Sequence, residues 1–169
     1  RAAPVPAGAL CGRVPAPEPR GQMADSGRIE ALCAKLSPSR VALMRRALDW
    51  RTRRITVVLE DVFQSHNASA VLRTCDALGI QEAHVIENRN RFVPSRNVDM
   101  GASKWMDVRR YALPTARRRR SNEPRELEIG EDCLANTRAA LEGLKARGFL
   151  LAASTLRTGA ADISEVPVD

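Results

Sequence analysis

Two short apolar runs, ITVVLE at 55–60 and AHVIE at 83–87, bracket a stretch of helical periodicity closed by a glycine, and this arrangement constrains the fold more than anything else in the chain. Between the runs, Ala70, Val71, Cys75 and Leu78 recur at the spacing of one helix face, and Gly79 stands where a helix end favours a left-handed residue. The β-branched content of the first run marks a buried strand. Strand, helix and strand within about thirty residues make a βαβ unit, which requires a parallel sheet and a right-handed crossover.

The pattern continues downstream. Residues 88–104, rich in Asn, Arg, Pro, Ser and Gly, are expected as an irregular loop, and WMDVRRY at 105–111 alternates as a strand does. Asp132 to Ala146 is expected as an amphipathic helix closed by Gly148, and FLLAAS at 149–154 as a further buried strand. Residues 115–130, with arginine at every position from 117 to 120, read as a basic insertion. The chain stops at Asp169, where an α/β domain would enter another strand, so the domain is expected to be incomplete at its carboxyl end.

Upstream, Ile29, Leu32, Cys33 and Leu36 share a helix face, and Pro38 is expected to end that helix. Ser39 is expected to cap a second helix with Val41, Met44 and Leu48 on one side and Arg45, Arg46, Arg51, Arg53 and Arg54 crowding its far end. The expected division is a disordered Pro, Ala, Gly and Arg tail over 1–22, a basic helical lobe over 23–54, and an α/β domain over 55–169.

Charge narrows the function classes. Lys and Arg number 27 against 20 Asp and Glu, a formal +7. With a pI near 10.0, this favours a polyanionic partner, nucleic acid first and an anionic membrane surface second. No apolar run reaches the roughly 20 residues of a membrane-spanning helix. Cys11, Cys33, Cys75 and Cys133 are scattered with only His66 and His84 for company, so no metal site is expected. Wide cysteine spacing and no signal peptide lead to the expectation of a reducing cytoplasm.

The first strand ends at a loop carrying Asp61, Gln64, Ser65, His66 and Asn67, at the end of a parallel sheet where ligands gather. Asn67 suits an N-cap. Arg73, lodged between Leu72 and Thr74, must reach a carboxylate, a phosphate or solvent, because an unpaired buried guanidinium is prohibitively costly. From the residues alone, pairing with Asp61, Asp76 or Glu60 is the simpler reading.

The pattern Asn67, Ser69, Ala70, Arg73, Thr74, Asp76 and Ala77, followed by Leu78-Gly79-Ile80, resembles the first motif of the TrmH-like (SpoU) RNA ribose 2'-O-methyltransferases of the SPOUT class. The preceding LEDVFQSHN, the later MGASKW (100–105) and the helix and strand expected over 132–154 follow that family's order, so the likeness covers about residues 28–169 apart from 115–130. It implies an α/β knot fold and methyl transfer from S-adenosylmethionine to a ribose 2'-hydroxyl in tRNA (guanosine) or rRNA, by a homodimer. Asn67 and Arg73 would then act at the substrate ribose. A ribose hydroxyl is a poor nucleophile until its proton leaves, so a cation stabilising the alkoxide suits Arg73 better than the role of base. The family's donor motifs, a strand ending Gly-Asn-Glu and a helix opening Ser-Leu-Asn, do not occur before Asp169, so the donor site is expected beyond it and this chain is expected to be inactive alone.

Arg45, Arg46, Arg51, Arg53 and Arg54 could hold RNA phosphates, with His66 and Ser69 as further contacts nearer the motif. Arg117 to Arg120 could form a flexible clamp. Trp50, Trp105 and Phe92 could stack on bases, although the two tryptophans fit a core better. Two rivals stand beside the methyltransferase: a catalytically inactive RNA-binding module, which would bind RNA in a salt-sensitive way, and a structural α/β protein that would not bind RNA.

Overall fold

A computed structural model describes residues 26–117, 129–155 and 157–166. The tail expected over 1–22 and residues 118–128 of the basic insertion, including Arg118 to Arg120, lie outside the described residues.

The elements run α1 (Ser26–Cys33), α2 (Pro38–Asp49), β1 (Thr52–Glu60), α3 (Ser65–Ala77), β2 (Ile80–Glu87), α4 (Arg96–Asp99), a 3-10 turn (Ala102–Lys104), β3 (Asp107–Ala112), α5 (Glu131–Ala146) and a second 3-10 turn (Ile163–Glu165). β1, β2 and β3 form one sheet in that order. Both pairings are parallel, with Val57 opposite Ala83 and Val85 opposite Arg110. The βαβ unit of the sequence is present as expected.

Period-2 alternation sorts the strand residues onto two faces. Ala83 and Val85 of β2 point toward α3, where they pack with Ala68, Leu72, Cys75, Phe92 and Met106, and with Val57, Leu59 and Val108 at the margin. Glu82, His84 and Ile86 point to the opposite side, beneath α5 and its buried Cys133, Ala140 and Leu144.

That second face holds a charged layer inside an otherwise apolar run. Arg147 grips Glu82 with both nitrogens at 2.7 and 2.8 Å, Arg109 lies 2.6 Å from it, and Arg53 stands 3.7 Å away. The fully buried His84 places Nε2 3.2 Å from Glu82 and Nδ1 2.9 Å from the Tyr111 hydroxyl. The Arg147 hydrogen bonds, aided by the charges of Arg109, Arg147 and His84, outweigh burial and lower the Glu82 carboxyl to about 2. Burial keeps His84 below its ordinary value despite Glu82.

Several expectations change. Ser37, not Ser39, caps α2, its hydroxyl accepting from Arg40 N at 3.4 Å. Pro38 opens that helix at N1, where its missing N–H costs nothing, and α1 has already stopped at Cys33. Arg53 and Arg54 belong to β1, not to the end of α2. Residues 88–104 contain two short helical turns. Over 149–155 no strand forms among the described residues: the segment has no ladder partner, and Leu150, Ala152 and Ala153 are exposed. An apolar run becomes a strand only where an edge satisfies its backbone groups. Trp50 and Trp105, read as core, are 77% and 60% exposed, while Phe92, offered as a stacking ring, is buried against α3.

Candidate functional site

β1 ends at Glu60, the next residue, Asp61, is left-handed at φ 45°, and a short turn leads into α3 at Ser65. Asp61 is a bracket between the carboxyl ends of β1 and β2. Its carboxylate accepts from Arg89 N at 2.7 Å, Asn90 N at 2.8 Å and Arg89 Nε at 2.8 Å. Its carbonyl accepts from Asn90 Nδ2 at 3.0 Å. Burial alone would raise this carboxyl, but the backbone donors and the Arg89 guanidinium outweigh it and leave it below the usual range.

α3 begins at Ser65, and its N-cap position is Gln64, which makes no side-chain cap bond. Asn67 therefore lies within the first turn and is not the cap that was expected. Its backbone N–H already bonds Gln64 O at 2.9 Å, and its side chain stays in solvent. Ala68, Ser69, Leu72 and Cys75 form the buried side of the helix. His66, Asn67, Ala70, Arg73, Thr74 and Ala77 form the exposed ridge. The alanines at 70 and 77 keep the ridge low enough for another surface to approach the polar residues.

The motif residues thus divide into scaffold and free groups. Asp76 is paired with Arg51. Ser69, fully buried, donates to Ser65 O at 2.8 Å and accepts from Ser95 N at 2.9 Å. Val93 N bonds Ser65 Oγ at 3.3 Å, so two serines pin the 92–95 loop to the start of α3. Further along, Asp99 accepts from Gly101 N, Ser103 N and Ser103 Oγ at 3.2, 3.1 and 2.9 Å. These bonds hold the left-handed turn at Met100 and Gly101 that opens the MGASKW segment.

Arg73 is different. It is exposed, with no ion pair or side-chain hydrogen bond among the described residues. Each acid first offered as its partner is engaged elsewhere: Asp61 by Arg89, Asp76 by Arg51, and Glu60 by the Thr137 hydroxyl at 2.7 Å. The simpler structural pairing therefore does not form. The guanidinium is left available to an anion, on the same exposed ridge as the Asn67 amide.

The other residues considered for RNA contact also divide. Arg45, Arg46, Arg54 and His66 are exposed. Arg51 is committed to Asp76, only 17% of its side chain exposed, and ties the entry of β1 to the end of α3. Arg53 is shared between Asp107 at 2.5 Å and Glu82. Ser69 cannot face RNA, because it is sealed beneath the 92–95 loop. What the sequence did not single out is the Asp61 bracket and an arginine-walled cavity of about 500 Å³ beyond the end of β3, lined by Arg91, Val93, Pro94, Arg110, Ala116 and Arg117. The visible signal was the RNR run at 89–91 directly after a strand.

The cavity does not suit S-adenosylmethionine. That donor carries a sulfonium cation, whereas the walls carry arginines, and the Glu87 carboxylate that Arg110 holds is already bound by it and by Phe92 N at 2.6 Å. Among the described residues no group of His, Cys, Asp and Glu is arranged to hold a metal ion, and no helix is long and apolar enough to cross a membrane.

Comparison with known proteins finds likenesses in sequence over the same stretch. Residues 54–129 match the SpoU rRNA Methylase family. A tRNA (guanosine(18)-2'-O)-methyltransferase of Borreliella burgdorferi is 28% identical over 142 residues, covering 84% of this chain and 55% of that protein. The enzyme of the same name from Thermus thermophilus is 36% identical over 113 residues, covering 66% and 46%. The A. aeolicus TrmH/SpoU tRNA modifying enzyme, a crystal structure, aligns over 45% of this chain and 39% of its own at 26% identity and a TM-score of 0.40. The chain spans about half the length of the curated relatives it matches. The stretch that matches the SpoU rRNA Methylase family, residues 54–129, includes the parallel sheet and the ridge bearing Asn67 and Arg73.

Proposed function

We propose that this chain provides the RNA-handling part of a ribose 2'-O-methyltransferase acting on a guanosine of tRNA. The observation that carries the reading is the exposed Arg73, unpaired among the described residues although three carboxylates lie close in sequence, on one ridge with Asn67. The matched relatives, all named as tRNA guanosine 2'-O-methyltransferases, support it.

In this reading Arg73 holds the phosphate beside the target ribose and stabilises negative charge as the 2'-hydroxyl loses its proton. Asn67 orients the hydroxyl or the guanidinium, since an amide can donate to one and accept from the other. Arg45, Arg46 and Arg54 contact the phosphate backbone at a distance and set position, not sequence. S-adenosylmethionine as donor and assembly as a homodimer are parts of the same reading, drawn from the family resemblance.

The test is methylation of a tRNA transcript by the native reading frame that contains this sequence, with and without the methyl donor, followed by mapping of the modified ribose. Donor-dependent 2'-O-methylation of a guanosine, abolished by Arg73→Ala, is the expected result. A frame that binds tRNA without methylating it would leave the RNA-binding module as the account, and one that does neither would overturn both.

A further inference from the structure

The cavity beyond β3 is not used by the proposed chemistry of Arg73, yet it lies at the carboxyl end of the sheet and is built in one piece with the start of α3. We propose that it is a subsite for a nucleoside 5'-phosphate unit, with the base against the Val93 and Pro94 wall and the phosphate on Arg91 and Arg110. This proposal rests on the RNA reading above and deepens it, placing a second nucleotide of the substrate beside the one that meets Arg73.

The argument begins with placement. Open parallel sheets gather ligands beyond the carboxyl ends of their strands, and Arg110 sits two residues before the end of β3. The wall is tied to the catalytic ridge: Val93 N bonds Ser65 Oγ at 3.3 Å, and Ser95 N bonds Ser69 Oγ at 2.9 Å. The far wall is closed by backbone bonds, from Arg91 N to Arg117 O at 2.9 Å and from Arg117 N to Arg89 O at 3.1 Å. A ligand seated there is therefore held in register with Asn67 and Arg73 through a stiff connection.

Chemistry then selects the ligand. At about 500 Å³ the space suits a mononucleotide. Its wall is apolar at Val93, Pro94 and Ala116, which suits the face of a base. Arg91 is exposed and has no acidic partner among the described residues, so its charge faces the cavity uncompensated. Arg110 is oriented by Glu87 and by Phe92 O, which accepts from it at 2.8 Å, so its guanidinium is fixed before a ligand arrives. An apolar plate beside one free and one pre-oriented guanidinium favours a flat ring joined to an anion, and disfavours a cation.

The unit could come from RNA or from a free nucleotide, and the experiment separates the two. Backbone amide shifts of residues 91–93, 95 and 116 are followed by heteronuclear NMR in the whole chain during titration with guanosine 5'-monophosphate, guanosine, inorganic phosphate and a short single-stranded RNA. Expected are saturable shifts at these amides with the monophosphate at roughly millimolar Kd, tighter binding of the RNA, and weaker shifts with guanosine or phosphate alone. Arg91→Glu and the cavity-filling Val93→Trp are expected to weaken the monophosphate at least about tenfold, whereas Arg138→Glu, the same charge change on an exposed α5 position, leaves it unaltered. Tight binding of the monophosphate with none of the RNA would assign the pocket to a free nucleotide and overturn its role in substrate RNA. No shift at these amides, or shifts that Val93→Trp leaves intact, would overturn the subsite. If tRNA still binds the chain in that case, the RNA reading survives and only the subsite fails; if tRNA does not bind at all, the RNA reading fails with it.

Discussion

Replacing Glu82 with Gln keeps the shape of the side chain and removes the one carboxylate that Arg147, Arg109, Arg53 and His84 share. Its fall from 4.5 to about 2 corresponds to at most about 3 kcal/mol of stability if transferred whole. The arginine partners are 34 to 46% exposed, so solvent screening cuts the share attributable to the charge to roughly 1.5–2.5 kcal/mol. The sign is fixed by the direction of the shift. A carboxyl depressed in the folded state contributes its full share above the unfolded value near 4.5 and loses it as the pH falls toward 2. His84, depressed by burial, adds a separate loss that begins below its ordinary value of 6.5, because the unfolded chain takes up that proton more readily. Urea unfolding followed by circular dichroism at neutral pH should therefore show Glu82→Gln less stable than the parent by that amount, with the gap narrowing as pH falls below about 4.5. Equal stability at neutral pH, or a gap that does not change on acidification, would refute the assignment of Glu82 as the anion that organises this layer.

Gly79→Ala should cost roughly 2–4 kcal/mol, since φ is +77° and a Cβ there would lie 2.3 Å from Trp50 O, whereas Gly101→Ala, at φ +93° in open space, should cost about 1–2. Thermal unfolding of the two variants gives the ranking. Ser69→Ala removes the bond from Ser95 N that ties α3 to the 92–95 loop, together with the hydroxyl's own bond to Ser65 O, and should cost about 1–3 kcal/mol, with faster amide exchange at Ser95. Arg45→Ala combined with Arg46→Ala should lower the slope of log Kd against log salt for RNA by roughly 1–2 and weaken binding evenly across sequences.

Much of the architecture could be read from local pattern. The runs at 55–60 and 83–87 are β-branched and apolar, the helix between them has clear periodicity, and Gly79 marks its end because only a glycine tolerates that close approach to Trp50. Where two residues of one chemical type compete, the pattern does not decide. Ser37 and Ser39 flank Pro38, and the proline's own preference for N1 selects Ser37. The exposure of Trp50 and Trp105 and the unpaired 149–155 run depend on what packs beside them, which lies outside any local window.

The candidate site was half legible for a related reason. Asn67 and Arg73 stand out as irregularly spaced polar residues, and both are exposed. Ser69, Asp76 and Arg51 carry the same polar signal but are consumed by the scaffold through partners that are distant in sequence: Ser95 for Ser69, and Arg51 and Asp76 for each other. Glu82 and His84 were hidden in the opposite way, because inside AHVIE and its neighbours they pass for the polar half of an alternating strand until α5 brings Arg147 over them.

The central claim is that Arg73 is left free in order to meet RNA during methyl transfer. It is tested most directly by single-turnover methylation of a tRNA transcript by the native reading frame, comparing the parent with Arg73→Ala at saturating RNA and donor. A fall in rate on the order of 10²–10³, with tRNA affinity changed far less, is the result this account requires. Methylation by Arg73→Ala at the parent rate would contradict it, and would return Arg73 to the status of an ordinary surface arginine.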